Sequence, residues 1–164
     1  YPVIDLKSTA RRLDIGVEGY PDYDKINFGQ VHPNVNPADI FVRENNKTYV
    51  NFEIAMNAYM FGGYPTDEQI YQYSLQNHVT DTTPPAFIWH GGEDGLIYPR
   101  NSFMFAEALR EHNIPCELHV FGKGGHGLGL ANEVTENNPW EVNEQCAMWP
   151  KLAADWIKSI LRQQ

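Results

Sequence analysis

Two loops of this 164-residue chain hold the side chains best suited to proton-transfer chemistry. The first reads His90-Gly91-Gly92-Glu93-Asp94-Gly95-Leu96-Ile97-Tyr98-Pro99, the second Gly122-Lys123-Gly124-Gly125-His126-Gly127-Leu128-Gly129. A histidine that activates a nucleophile needs a carboxylate to fix its tautomer and to stabilise the imidazolium it becomes. Asp94 and His126 supply that pair of groups, and the chain between them is long enough for one helix and one strand. Taken singly, each has a plainer explanation: Asp94 as a turn carboxylate, His126 as an imidazole carried incidentally by a glycine-rich turn. Together they read as the acid and the general base of a hydrolytic site. Glu93 is the second candidate for the acid. His90, near the end of an apolar run, reads as structural.

These residues need elements to position them. Ala86 to His90 is a compact apolar run that reads as a buried strand. Asn101 to His112 has Phe105, Ala106 and Leu109 on one helical face, with Asn113 near the C-cap. Cys116 to Phe121 reads as a second strand. Pro150 to Leu161 is an amphipathic helix, with Leu152, Ala153, Trp156, Ile157 and Ile160 at helical spacing and Pro150 near its first position. Strand, helix, strand, helix implies a parallel sheet with crossover helices, an α/β fold. Both candidate loops follow the carboxyl end of a strand, where open α/β sheets bind ligands.

Upstream, Thr66-Asp67-Glu68-Gln69 is a capping-box pattern opening a helix to about Leu75. Residues 6 to about 65 are rich in Pro, Gly, Asn, Asp and Tyr, with weak periodicity and with Pro21, Pro33 and Pro37 as breakers. Phe52 to Met60 has helical spacing; the rest reads as loops and short helices, either a surface insertion or a lid over a site. Tyr1-Pro2-Val3-Ile4-Asp5 reads as the end of a strand. A domain that opens inside a strand, and a sheet with only about three strands and an apolar edge, implies a piece of a longer protein. The remainder of that sheet, or a second chain in a homo-oligomer or other assembly, is the expected partner.

Composition narrows the function classes. The net charge is -9, with no Lys/Arg cluster, so a nucleic-acid partner is not expected. No apolar run approaches the ~18 residues of a membrane span. Hydrophobic residues at 42% and charged residues at 20% are those of a globular chain with a real core. Cys116 and Cys146 read as free thiols, in keeping with a cytoplasmic protein, although the absence of a signal peptide says nothing about location in a piece of a longer chain. Asn46-Lys47-Thr48 is a formal glycosylation triplet of a kind common by chance. His90, Glu93 and Asp94 lack the H-E-x-x-H spacing that puts metal ligands on one helix face, so neither a metal nor another cofactor is expected.

A resemblance adds to this. Pro84-Pro85-Ala86-Phe87-Ile88-Trp89-His90-Gly91-Gly92-Glu93-Asp94, then Pro99, Asn101 and Ser102, then Glu117-Leu118-His119, then Gly124-Gly125-His126-Gly127, resemble the C-terminal third of an α/β-hydrolase. The H-G-x-x-D strand end and the G-G-H-G loop are similar to the acid and base motifs of the esterase/lipase group that includes acetyl-xylan-esterase-like and hormone-sensitive-lipase-like enzymes. Tyr1 to Ile4 resembles the strand after the nucleophile elbow; residues 6–65 match poorly. The resemblance implies Asp94 as triad acid, His126 as general base, and a carboxylic ester of a short acyl group, including acetylated carbohydrates, as the small-molecule substrate.

The same resemblance exposes a gap. Its nucleophile sits in G-x-S-x-G, upstream of acid and base. Ser8, Ser74, Ser102 and Ser159 are the serines of the chain, and none lies in such an elbow. His90-Gly91-Gly92 mimics an oxyanion-hole motif but falls in the acid loop. The fragment alone is therefore expected to be inactive. Two other readings stand beside the esterase: a serine peptidase of the prolyl-oligopeptidase type, whose C-terminal third has similar loops, and a non-catalytic assembly module that pairs its open strand with another chain.

Overall fold

The computed structural model describes residues 13–18, 34–136 and 138–162. The strand expected at Tyr1 to Asp5 lies outside them. The chain divides into two compact units, with the boundary between Ser74 and Leu75.

The first unit holds an antiparallel sheet that the weak periodicity of its sequence does not announce. Strands β1 (Leu13–Glu18), β2 (Phe41–Glu44) and β3 (Lys47–Val50) lie in the order β1-β3-β2. β2 and β3 form a hairpin in which Glu44 opposes Lys47 across a two-residue turn. Asn45 and Asn46 make that turn with φ of 50° and 60°. Positive φ at both central residues is what a hairpin needs to follow strand twist, and asparagine tolerates it. With four residues in each of β2 and β3, alternation there is too brief to register as a pattern.

Helix α1 (Pro37–Ile40) is capped by the Asn36 side chain, which accepts from the Ala38 N–H at 3.0 Å. Helix α2 (Phe52–Phe61) fulfils the helical spacing of its sequence and stops at Gly62, in the left-handed region. Val35, Ile40, Phe41 and Ala58 form a small core, to which Val50, Ile54 and Ala55 add. Helix α3 (Asp67–Tyr73) opens with the reciprocal capping box expected of Thr66 and Gln69.

The second unit carries the α/β pattern. Strands β4 (Ala86–Gly91) and β5 (Cys116–Phe121) pair in parallel, Ala86 opposite Cys116 and His90 opposite Val120. Helix α4 (Arg100–Glu111) lies between them in sequence and packs on the Ala86 and Ile88 face, where Val79, Ala108, Leu109 and Ile114 are buried. α4 ends in a Schellman motif: Asn113 takes φ 58°, its N–H reaches the Arg110 carbonyl, and the Ile114 N–H reaches the Leu109 carbonyl at 2.9 Å. Leu109 and Ile114, which flank this motif, join the same core.

Helix α5 (Trp149–Leu161) packs on the opposite face of the strands. Trp149 stacks on Trp89 with centroids 5.6 Å apart, and Trp156 meets Phe87. Both faces of the parallel pair are thus covered, as a buried parallel sheet requires. Among the described residues no helix is long and apolar enough to cross a membrane.

Candidate active site

The parallel register of β4 and β5 sets their carboxyl ends side by side, so the loop after each strand starts from the same edge. Backbone bonds then tie the loops together. The Gly92 N–H donates to the Phe121 carbonyl at 2.7 Å, and the Glu93 N–H to the Gly124 carbonyl at 3.0 Å. No side chain fits at this approach: a Cβ on Gly92 would stand 2.5 Å from the Phe121 oxygen. The H-G-G sequence is explained by this crossing. With the Asp94 N–H donated to the Gly91 carbonyl, the N–H groups of Gly92, Glu93 and Asp94 are all committed to backbone acceptors.

Asp94 projects from this junction and is almost fully buried. Its Oδ1 accepts the backbone N–H groups of Leu96 at 3.0 Å and Ile97 at 2.9 Å. Its Oδ2 lies 2.9 Å from His126 Nδ1 and 3.2 Å from His90 Nε2. Burial pushes the Asp94 carboxyl up; the bonds from His90, Ile97, His126 and Leu96 outweigh it and hold the group below the usual carboxylate range. Asp94 is therefore an anion near neutral pH, with each oxygen accepting two donors.

His126 is half-buried. Its loop is anchored from below by Leu128, Ala131 and Cys146, which pack with Trp89 and Phe121. The Trp149 indole N–H donates to the Gly129 carbonyl at 2.9 Å and joins the loop to α5. With Nδ1 bonded to an anionic carboxylate, His126 carries its proton on that nitrogen.

Glu93, one residue from Asp94, points elsewhere. Its carboxylate pairs with Lys123 Nζ at 2.5 Å on the exposed surface. Of the two candidate acids, only Asp94 is hydrogen-bonded to His126.

His90 lies at the strand end, buried, as its structural reading anticipates, but its contact with Asp94 is one that sequence reasoning missed. Nδ1 meets Ser102 Oγ at 2.7 Å, and Nε2 meets the Ile97 carbonyl at 2.8 Å as well as Asp94. The only available signal was the i, i+4 spacing of His90 and Asp94 beside an unexplained Ser102. Ser102, His90 and Asp94 imitate a complete triad. At 3% and 0% exposure, however, Ser102 and His90 offer an incoming carbonyl no approach.

A parallel sheet covered by helices, with a carboxylate loop and a histidine loop meeting at the strands' carboxyl ends, is the C-terminal part of an α/β-hydrolase fold. The model of the prolyl oligopeptidase family matches residues 40–140, well over half of the chain, and the chain belongs to that family. Endo-1,4-beta-xylanase B of Butyrivibrio fibrisolvens is 47% identical over 74 residues, a match that covers 45% of this chain and 12% of the xylanase. A sugar hydrolase from Lactococcus lactis is 33% identical with a TM-score of 0.56, over 60% of this chain and 39% of that one. A carboxylesterase from Lactobacillus plantarum is 36% identical with a TM-score of 0.53, over 57% of this chain and 34% of that one. The chain thus spans well under half the length of each.

Proposed function

We propose that this chain supplies the acid and base of a carboxylic ester hydrolase, with Asp94 and His126 as two members of a Ser-His-Asp triad. The observation that carries the reading is the 2.9 Å bond from His126 Nδ1 to the buried Asp94 carboxylate. It fixes the tautomer in which Nε2 can accept a serine proton. The serine attacks the ester carbonyl as its proton passes to His126. The imidazolium then protonates the leaving alcohol. In the second half-reaction His126 takes a proton from water as its oxygen attacks the acyl-enzyme, and returns that proton to the serine oxygen as the acid leaves. The nucleophile comes from outside this chain, since none of its serines lies in a nucleophile elbow.

Short acyl esters of carbohydrates are the substrate class this reading favours. Its support is the similarity to a carboxylesterase and a sugar hydrolase and the sequence match to a xylanase. The test is hydrolysis of p-nitrophenyl acetate and of acetylated xylo-oligosaccharides by the full-length protein that contains these residues. Turnover that is lost in His126→Ala is the expected result; full activity in that variant overturns the assignment.

Membership of the prolyl oligopeptidase family favours a second reading, a serine peptidase using the same pair. Cleavage of a proline amide without cleavage of acetyl esters decides for it.

A further inference from the structure

We infer that His90 is a positioning residue for the proposed triad: its ring, oriented by Ser102, locks the Asp94 carboxylate in the orientation that His126 requires. This rests on the assignment of Asp94 and His126 as acid and base.

The bonding around His90 determines its tautomer. Nε2 faces two groups, the Asp94 carboxylate at 3.2 Å and the Ile97 carbonyl at 2.8 Å, and both only accept. Nε2 must therefore carry a proton. A neutral ring then has its lone pair on Nδ1, where the Ser102 hydroxyl, 2.7 Å away, can donate. The result is a directed chain: Ser102 donates to His90, and His90 and His126 both donate to one carboxylate oxygen.

The placement of each member explains what the chain accomplishes. His90 is on β4 and Ser102 is in the first turn of α4, both parts of the packed sheet-helix core. Asp94 and Ile97 belong to the loop between them. One shared Nε2–H thus fastens both ends of the acid turn to the core, while Oδ1 is held by the turn's own Leu96 and Ile97 N–H groups. Without His90, Oδ2 would keep, among the described residues, His126 as its donor, and the half-buried base would have to orient its own orienter. Among the described residues, the ionisable groups bonded at this junction besides His90 are the buried Asp94, the half-buried His126 and the surface Glu93–Lys123 pair.

The test has a structural and a kinetic arm, both on the full-length protein. Long-range 15N–1H NMR should show His90 as the neutral Nε2–H tautomer, and Ser102→Ala should move its Nδ1 resonance toward that of an unbonded acceptor. A Nδ1–H tautomer overturns the inference. In kinetics, His90→Leu should lower kcat on the order of 10²-fold, the loss that a misplacement of about 1 Å brings, with KM within about twofold. His90→Gln, whose amide can donate to both Asp94 and Ile97, should recover most of kcat. If His90→Leu keeps kcat within about threefold while His126→Ala is inactive, the positioning role falls alone. If His126→Ala is itself active, the triad assignment falls and takes this one with it. A destabilised His90→Leu protein leaves the NMR arm and the glutamine variant to decide, since a merely structural role predicts no recovery of kcat specific to a donor at that position.

Discussion

Gly91 and Gly124 meet so closely that a Cβ on Gly91 would lie 2.3 Å from the Gly124 carbonyl oxygen. A backbone atom cannot swing aside as a flexible side chain can, so one methyl group at Gly91 must push the acid and base loops apart. Gly91→Ala is expected to lower stability by at least the ~1–3 kcal/mol of an overpacked core, read as a fall in thermal midpoint. It should also lower kcat, because separating the loops lengthens the Asp94 to His126 bond. An unchanged midpoint would show that the loops are not held this closely.

Asp94→Asn is nearly isosteric and separates charge from shape. Asparagine Oδ1 can keep the Leu96 and Ile97 N–H bonds, which turns its NH2 toward His126 Nδ1 and His90 Nε2. His126 must then accept at Nδ1 and carry its proton on Nε2, where it cannot receive one from serine. The expected loss in kcat is on the order of 10³–10⁴-fold with KM little changed. Steady-state kinetics on an acetyl ester measure it, and a loss under about tenfold would remove Asp94 from the proposed triad.

Asp94 should also make stability depend on pH. Its carboxyl lies below the ordinary value of 3.8, so the native state binds fewer protons than the unfolded one in the acid range. The stabilisation is complete above the unfolded value and is lost as pH falls through the lower native value. The stability gap between wild type and Asp94→Asn is therefore expected to be widest near neutral pH and to shrink below about pH 4. Urea unfolding across that range checks it; a gap that grows on acidification would contradict the sign.

Glu93→Gln is the control for the neighbouring carboxylate. Its pairing with Lys123 is exposed, where such pairs contribute little. Esterase activity within about twofold of wild type is the outcome expected, against the large loss at Asp94. A loss comparable to Asp94→Asn would return Glu93 to candidacy as the acid.

Much of the chain from Thr66 onward was legible because its signals are local. The Thr66 capping box, the runs forming β4 and β5, Asn113 at the end of α4 and the periodicity of α5 each depend on neighbours in sequence, and each element forms within a residue or two of its expected bounds. The β2–β3 hairpin was not read, although Asn45-Asn46 carries its turn: two four-residue strands are stabilised by each other and by a core drawn from α2, not by their own pattern.

Residue types and local pattern named the side chains available for chemistry and put Asp94 and His126 in loops at strand ends. Tertiary structure decided which of them touch. It brought Asp94 to His126 and turned Glu93 to Lys123. It set His90 against the same carboxylate and Ser102 behind His90, on the far side of the ring. It also gave Gly91 and Gly92 their purpose, which is passage of one backbone against another. The physical reason is common to all three. A hydrogen bond depends on distances and directions of tenths of an ångström between groups far apart in the chain, and only the packed sheet and its covering helices fix those.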